Sequence, residues 1–420
     1  MTKKQWLKNP EIILDDPWRK KALEIVLAGL DVIDTTNAIE TSVRLEGEIL
    51  HVRDQQFDLA QFSRIVVIGF GKASCDAAVA IENILKDKIR AGVVVGLTSP
   101  VCENIETYKG THPHASPQNV QVSEKIKKLA ESTTEKDLAI ILVSGGGSAL
   151  LCWPQDECDQ GVRLYEKWLG QGGDIADLNT IRKHLSEVKG GGLAKLLYPA
   201  TVLGLVFSDI PGNDYSMVAS GPTYKDTSTV ADAQALIDKH GLGDFHLLET
   251  PKEDTYFKKV YNIPIVSNDM ALEAMCEKAA ELGLTSMIVS SDINQDANQT
   301  LGALKDAVSA KNVAVAGGEI SLVVEGASRS RAGRNVYMAW RAVEQLSDDE
   351  IFIALASDGM DNGPAAGAIA DAYSRKIITE RRANSAIWDP YDFFDAAKSL
   401  ILTGATGANV ADFYILLRKP

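Results

Sequence analysis

The sequence predicts a two-domain α/β protein, with a largely parallel, doubly wound first sheet and a smaller second sheet of mixed direction. Three observations carry this expectation. At 420 residues the chain is longer than the roughly 250–300 residues at which one hydrophobic core usually stops growing. Apolar runs of strand length, Arg64 to Ile68, Gly92 to Leu97, Leu138 to Val143 and Thr201 to Phe207, alternate with helix-like stretches. Strands that are apolar throughout are those that helices cover on both faces. Between Ser228 and Asn262 the pattern weakens into Gly241, Gly243, Pro251 and the charged Lys252-Glu253-Asp254, the composition of a domain junction. The expected division is residues 1–240 and 241–420, with the closing strand free to return to the first domain.

In chain order, Trp18 to Val32 reads as a helix, and the charged segment around Glu46-Gly47 as a hairpin ahead of the first core strand. Past the junction come a strand at Ile263 to Val266, a helix from Ala271, a strand at Ser286 to Val289 and a helix near Asp296 to Val308. Val313 to Ala316 then runs through Gly317-Gly318 into an alternating Ile320 to Val324, and a two-residue period of this kind predicts antiparallel pairing. Phe413 to Leu417 reads as the final strand.

Composition narrows the function classes. Apolar residues make up 45% and charged residues 24%, as in ordinary globular enzymes. No apolar run reaches the roughly 18–20 residues needed to cross a bilayer, and Met1 to Pro10 is too polar for a signal-peptide core, so a cytoplasmic protein without membrane partners is expected. The formal net charge of −14 opposes nucleic-acid binding, which needs a basic face. Cys75, Cys102, Cys152, Cys158 and Cys276 have no paired spacing and predict neither disulfides nor zinc. His112-Pro113-His114 lacks a third ligand nearby, and His112 reads better as a hydrogen-bonding loop residue than as a metal ligand. A homodimer stays possible, since the sequence does not fix the oligomeric state.

Small-residue loops follow several of the predicted strands. After Val66-Val67-Ile68 come Gly69-Phe70-Gly71-Lys72-Ala73-Ser74, a glycine turn into a helix that could present N–H groups to an anion. The dinucleotide fingerprint is incomplete, because Ser74 stands for its third glycine and no acidic residue ends the next strand. Ser144-Gly145-Gly146-Gly147-Ser148 follows another apolar strand, and three successive glycines point to unusual dihedrals or a close backbone approach. In Asn179 to Leu193, helical spacing puts Asn179, Lys183 and Ser186 on one face, and Arg182 and Lys189 one turn round, ahead of Gly190-Gly191-Gly192. Asp209 follows the strand Val202 to Phe207, where an α/β protein places catalytic groups, and it could accept a hydroxyl proton or bind Mg2+. In the second domain, Arg329, Arg331 and Arg334 form a basic loop that could reach a phosphoryl group, Asp358 lies after an apolar strand, and Thr406 and Asn409 belong to a further small-residue loop. A plain turn, a solvated helix face or an Asx turn is the competing reading of each, and their repetition favours phosphate contact.

Taken together, the Gly-Lys-Ala-Ser turn, Ser-Gly-Gly-Gly-Ser-Ala-Leu-Leu, Asn-Thr-Ile-Arg-Lys-His-Leu-Ser with Lys-Gly-Gly-Gly, Ala-Ser-Gly-Pro-Thr and Thr-Gly-Ala-Thr-Gly-Ala-Asn-Val resemble the type II glycerate 2-kinase family, whose C-terminal part is called MOFRL. The resemblance spans about Arg64 to Leu417. It implies a Rossmann-like N-terminal domain and a smaller swivelling C-terminal one, with ATP and glycerate, or a related short hydroxy acid, meeting in the cleft. It implies transfer to the 2-hydroxyl with magnesium, and places the family's essential lysine and arginine on Lys72 and Arg334. Here the usual Gly-Gly-Arg-Asn-Gln is Ala332-Gly333-Arg334-Asn335-Val336, and the segment after Asp358 is shortened. Those departures keep a nucleotide-binding sensor as an alternative, beside a hydroxypyruvate-reductase type of oxidoreductase.

Overall fold

The computed structural model describes residues 4–13, 15–168, 174–210, 212, 214–321, 330–382 and 389–420. They form two compact units. A central unit holds Thr35–Ser208 and Asp214–Ile265, and a terminal unit holds Met1–Asp34, Asp209–Asn213 and Val266–Pro420. The division therefore runs near residue 265 rather than 240, and the terminal unit takes in the N-terminal helix α1 (Pro17–Ile33). This helix starts where Asp16 accepts from Trp18 N–H and Arg19 N–H, with Pro17 in the first turn, a position that needs no N–H donor.

The central unit begins with α2 (Thr35–Ser42) and a meander of β1 (Val43–Glu46), β2 (Ile49–Val52) and β3 (Gln55–Asp58). Gly47, at φ 62°, makes the expected hairpin turn between β1 and β2. The core strands and helices follow: β4 (Arg64–Phe70), α3 (Ser74–Leu85), β5 (Ile89–Gly96), β6 (Glu106–Lys109), α4 (Pro117–Glu131), β7 (Asp137–Ser144), α5 (Gly147–Leu150), α6 (Gln155–Trp168), α7 (Ile175–Lys183), α8 (Gly192–Leu197), β8 (Thr201–Phe207), α9 (Val230–Lys239) and β9 (Val260–Val266). The sheet order is β6-β5-β4-β7-β8-β9, and the pairs from β6 through β8 are parallel. Counted from β4, this is the 3-2-1-4-5-6 order of a Rossmann sheet. β7 is buried along its whole length, as its unbroken apolar run requires. β9 completes this sheet beside β8, which is why the unit extends past residue 240.

The terminal unit adds α10 (Asn268–Glu281), β10 (Ser286–Ile293), α11 (Ala297–Val308), β11 (Val313–Gly318), α12 (Arg334–Val343), β12 (Glu350–Ala356), β13 (Gly367–Ala370), α13 (Ala372–Arg382), α14 (Pro390–Ala396), β14 (Leu400–Ile401) and β15 (Asp412–Arg418). Its sheet order is β10-β11-β15-β12-β13-β14, with only β10 and β11 parallel. The mixed direction expected for this sheet is present, but it comes from β15 between β11 and β12 and from the antiparallel β12-β13-β14. Ile320 and Ser321 are not strand, and 322–324 lie outside the described residues. The closing strand is thus in the middle of the second sheet. Arg19 of α1 is buried in this unit against Asp371, its Nη2 donating to Asp371 Oδ1 at 3.0 Å and to the Ser399 hydroxyl at 2.9 Å. No helix among the described residues is long and apolar enough to cross a membrane.

Candidate functional site

Winding of the central sheet reverses between β4 and β7, and at such a switch point the loops leaving the two strands open a crevice. Those loops carry Gly71-Lys72 and Ser144 to Ser148. Gly71 turns at φ +124°. A Cβ there would stand 2.2 Å from Ser144 Oγ and 2.4 Å from Ser144 O, so glycine is what lets the loops touch. Gly71 N–H donates to Val95 O at 3.2 Å, Lys72 N–H to Gly145 O at 2.9 Å and Ala73 N–H to the Ser144 hydroxyl at 3.0 Å. The turn after β4 thus has its N–H groups taken by protein and does not offer them to an anion. Ser144, read from sequence as a ligand residue, instead caps α3, whose own N-cap Ala73 has no side-chain acceptor.

The open donors lie one loop over. The N–H groups of Gly145, Gly146, Gly147 and Ser148 meet no acceptor among the described residues. Gly146 has φ +79°, and a Cβ on it would come within 3.0 Å of the His112 ring and 3.1 Å of Lys72 Cγ. The lysine stem and the histidine therefore flank this glycine. The Ser148 and Ser220 hydroxyls are 2.9 Å apart, and Ser220 donates onward to Asn179 Oδ1 at 2.8 Å. Asn179 and Ser148, expected at the site, are joined by Ser220, which the sequence marks only as part of the Ala-Ser-Gly-Pro-Thr motif and gives no site role. Ser220 sits at φ +61° between Ala219 at +52° and Gly221 at +63°, a left-handed run costing on the order of 1 kcal/mol or more per non-glycine residue.

The second triple glycine holds that run in place. Gly190 N–H donates to Ser220 O at 3.0 Å, Gly191 N–H to Gly221 O at 2.9 Å and Gly192 N–H to Lys189 O at 2.9 Å. Cβ atoms would meet Thr250 at 2.8 Å, Phe257 at 2.7 Å and Glu187 O at 2.1 Å respectively, so all three glycines serve close packing. The nearby lysines are committed too. Lys183 Nζ bonds Asp226 Oδ1 at 3.1 Å. Lys189 is buried, donating to Leu151 O at 2.7 Å and to Glu157. Burial pushes the Glu157 carboxyl up despite that lysine.

Two cations close enough to act on His112 lack a counter-ion among the described residues. Lys72 and Arg182 make no ion pair or side-chain hydrogen bond among the described residues. His112 senses both: loss of hydration, then the charges of Lys72 and Arg182, then His114, depress its ring to a pKa of about 4. It is therefore neutral at pH 7. In the unfolded chain a histidine titrates near 6.5, so the unfolded state binds more protons between these values. Acidification from about pH 6.5 towards 4 is expected to lower stability, and His112→Gln to flatten that part of the curve of unfolding midpoint against pH. Parallel wild-type and variant curves would refute the assignment.

In the terminal unit, Arg334 opens α12, with Nη2 2.6 Å from Glu319 Oε1 and Nε bonded to buried Asp412. Burial works against the guanidinium charge, but Asp412 and Glu319 outweigh it and raise its pKa. Burial lifts Asp412 to about 6, opposed by Arg334. Asp358 O accepts Thr406 N–H at 3.0 Å, and its carboxylate accepts Met360 N–H at 2.9 Å. The Thr406 hydroxyl donates to Ser357 O at 2.6 Å, and Asn409 Oδ1 accepts Ala411 N–H at 3.1 Å. Asp358, Thr406 and Asn409 therefore stitch two loops together. Asp209 follows β8 in the chain but belongs to the terminal unit. Arg329 lies outside the described residues.

A family model described as a domain of unknown function (DUF4147) matches residues 21–249, and one described as the MOFRL family matches residues 312–412. Glycerate 2-kinase of Pyrococcus horikoshii is 29% identical over 95% of this chain and 97% of its own length. A protein of Agrobacterium vitis with a provisional hydroxypyruvate reductase name is 32% identical, over 84% of this chain and 87% of its own. The crystal structure of a glycerate kinase from Thermotoga maritima superposes with a TM-score of 0.83 at 27% identity, covering 95% of this chain and 99% of that one. With both matched regions in order and these relatives alike along nearly their whole length, the chain belongs to the glycerate 2-kinase family.

Proposed function

We infer that this chain transfers the γ-phosphoryl group of ATP to the 2-hydroxyl of glycerate, giving 2-phosphoglycerate and ADP. The observation that carries the reading is Lys72, a cation that, among the described residues, has no partner and lies beside four N–H groups without an acceptor at the sheet's switch point, in a chain similar to glycerate 2-kinases over nearly all its length. Phosphoryl transfer asks the protein mainly to position two reactants and to place positive charge where the equatorial oxygens become more negative. The Gly145 to Ser148 loop supplies fixed dipoles for that task, and Lys72 a mobile charge. Arg334 is proposed as the second cation on the transferring group, its guanidinium oriented by Asp412 and Glu319. Asp209 is proposed to orient the acceptor hydroxyl, and Asp209→Asn should lower kcat more than it raises KM for either substrate.

Magnesium belongs to this proposal only as the companion of the ATP phosphates. Among the described residues no group of three His, Cys, Asp or Glu side chains could hold a metal ion. A cytoplasmic setting is part of the same reading. The oxidoreductase alternative needs the N–H groups after β4 for a dinucleotide pyrophosphate, and Val95, Gly145 and Ser144 already occupy them. Coupled ADP detection with ATP and glycerate is expected to show turnover, while NAD(P)H with hydroxypyruvate gives none. ADP release absent with glycerate, or steady NAD(P)H oxidation, would overturn the reading.

A further inference from the structure

We propose that Arg182 is the specificity-determining residue of this site and binds the carboxylate of the hydroxy-acid acceptor. This rests on the phosphotransfer reading above. α7 brings Arg182 to the wall of a cavity that also takes in Ser148, His114 and Tyr165. The rings of His114 and Tyr165 meet edge to face, 5.4 Å between centroids, so the lining combines an aromatic pair with the guanidinium and the end of the glycine loop.

The contrast with its neighbours decides the matter. Lys183 and Lys189, on the same stretch of chain, each have a buried carboxylate, Asp226 and Glu157. Arg182 has none among the described residues, although burial strips enough water from it to lower its pKa, with only Tyr165 acting the other way. Arg182 is half-buried, and a partly desolvated cation left unpaired carries a cost that an arriving anion relieves. A guanidinium presents a planar fork of donors that matches the two oxygens of a carboxylate, whereas an ammonium acts as a compact point charge on phosphate. Lys72 lies beside Gly146 and His112, and Arg182 shares its cavity with Ser148 at the end of the same loop, so the two anion-binding groups flank one glycine loop. Lys72 then faces the phosphoryl donor and Arg182 the acid end of the acceptor. A three-carbon acceptor lacking the carboxylate would leave Arg182 desolvated and unpaired, and the site would reject it.

The test compares D-glycerate with glycerol as acceptors, using full-length wild type, Arg182→Gln and Arg182→Lys. Wild type is expected to favour glycerate by about 10³-fold or more in kcat/KM, by analogy with sites that reject an analogue lacking a hydrogen-bonding group. Arg182→Gln should lower kcat/KM for glycerate about 10²-fold, mostly through KM, and leave KM for ATP within about 3-fold. Arg182→Lys should keep the charge but recover only part of the affinity. A second readout needs no turnover: glycerate titrated in the absence of ATP should raise the His112 ring pKa seen by NMR in wild type, and not in Arg182→Gln. Unchanged glycerate affinity and unchanged discrimination in the variant would overturn the proposal. If Arg182→Gln does not fold, Arg182→Lys decides, since no loss of glycerate affinity there has the same meaning. Wild type that binds glycerate through Arg182 yet releases no ADP would instead refute the phosphotransfer reading and leave the carboxylate site standing.

Discussion

Lys72→Ala is expected to lower kcat with ATP and glycerate by about 10²–10³-fold, the range seen when one charge-stabilising group is removed from a preorganised site, while leaving the unfolding midpoint where it is in wild type. The reasoning is local. The ammonium has no partner among the described residues whose loss could weaken the fold, and the backbone bond from Lys72 N–H to Gly145 O survives the substitution. The measurement is steady-state ADP production beside a thermal melt of the same preparation. Wild-type turnover would remove Lys72 from the site. An early melt would show that the lysine holds structure.

The opposite result is expected for the other lysine of the motifs. Lys189→Met should destabilise the protein by about 3–5 kcal/mol, because it leaves Glu157 buried without its cation. In a unit of this size that is a fall in unfolding midpoint on the order of 10 °C. Glu157 also accepts Trp153 N–H at 2.7 Å, so its carboxylate anchors the start of α6 and cannot simply turn to solvent. Replacing both partners, Lys189→Met with Glu157→Leu, should recover much of the loss, since a buried pair exchanged for apolar side chains is often close to neutral. Thermal melts of the single and double variants check this. A single variant as stable as wild type would mean that the pair contributes nothing.

Sequence patterning reached far for the fold and less far for the site. β4, β7 and β8 are apolar nearly from end to end, and in an α/β chain a short run of that kind, bounded by turn residues, marks a strand buried on both faces. β9 carries Pro264 and a mixed burial pattern; its end, Ile263 to Val266, reads as a strand, but nothing in that run shows that it joins β8 in the first sheet instead of opening the second. At the site, the two triple glycines look alike in one dimension. They differ in what their N–H groups meet, and Ser220 and Gly221, about thirty residues beyond Gly190, occupy one loop but not the other. The same limit applied to the cations. Asp226 is 43 residues from Lys183 and Glu157 is 32 residues from Lys189, so no helical spacing could show that these lysines are neutralised and Arg182 is not.

The placement of α1 has a consequence for how the protein is made. Arg19 finds Asp371 and Ser399, 352 and 380 residues further along, and Gly29 packs closely on Met275. At ordinary ribosomal speeds of roughly 5–20 residues per second, α1 waits on the order of 20–70 s for Asp371. Every strand of the central sheet emerges in that interval. Biosynthesis therefore favours completing the middle of the chain first, while an amphipathic helix stays exposed. A nascent chain stalled before Met275 would display the apolar flank of α1, a natural target for chaperones.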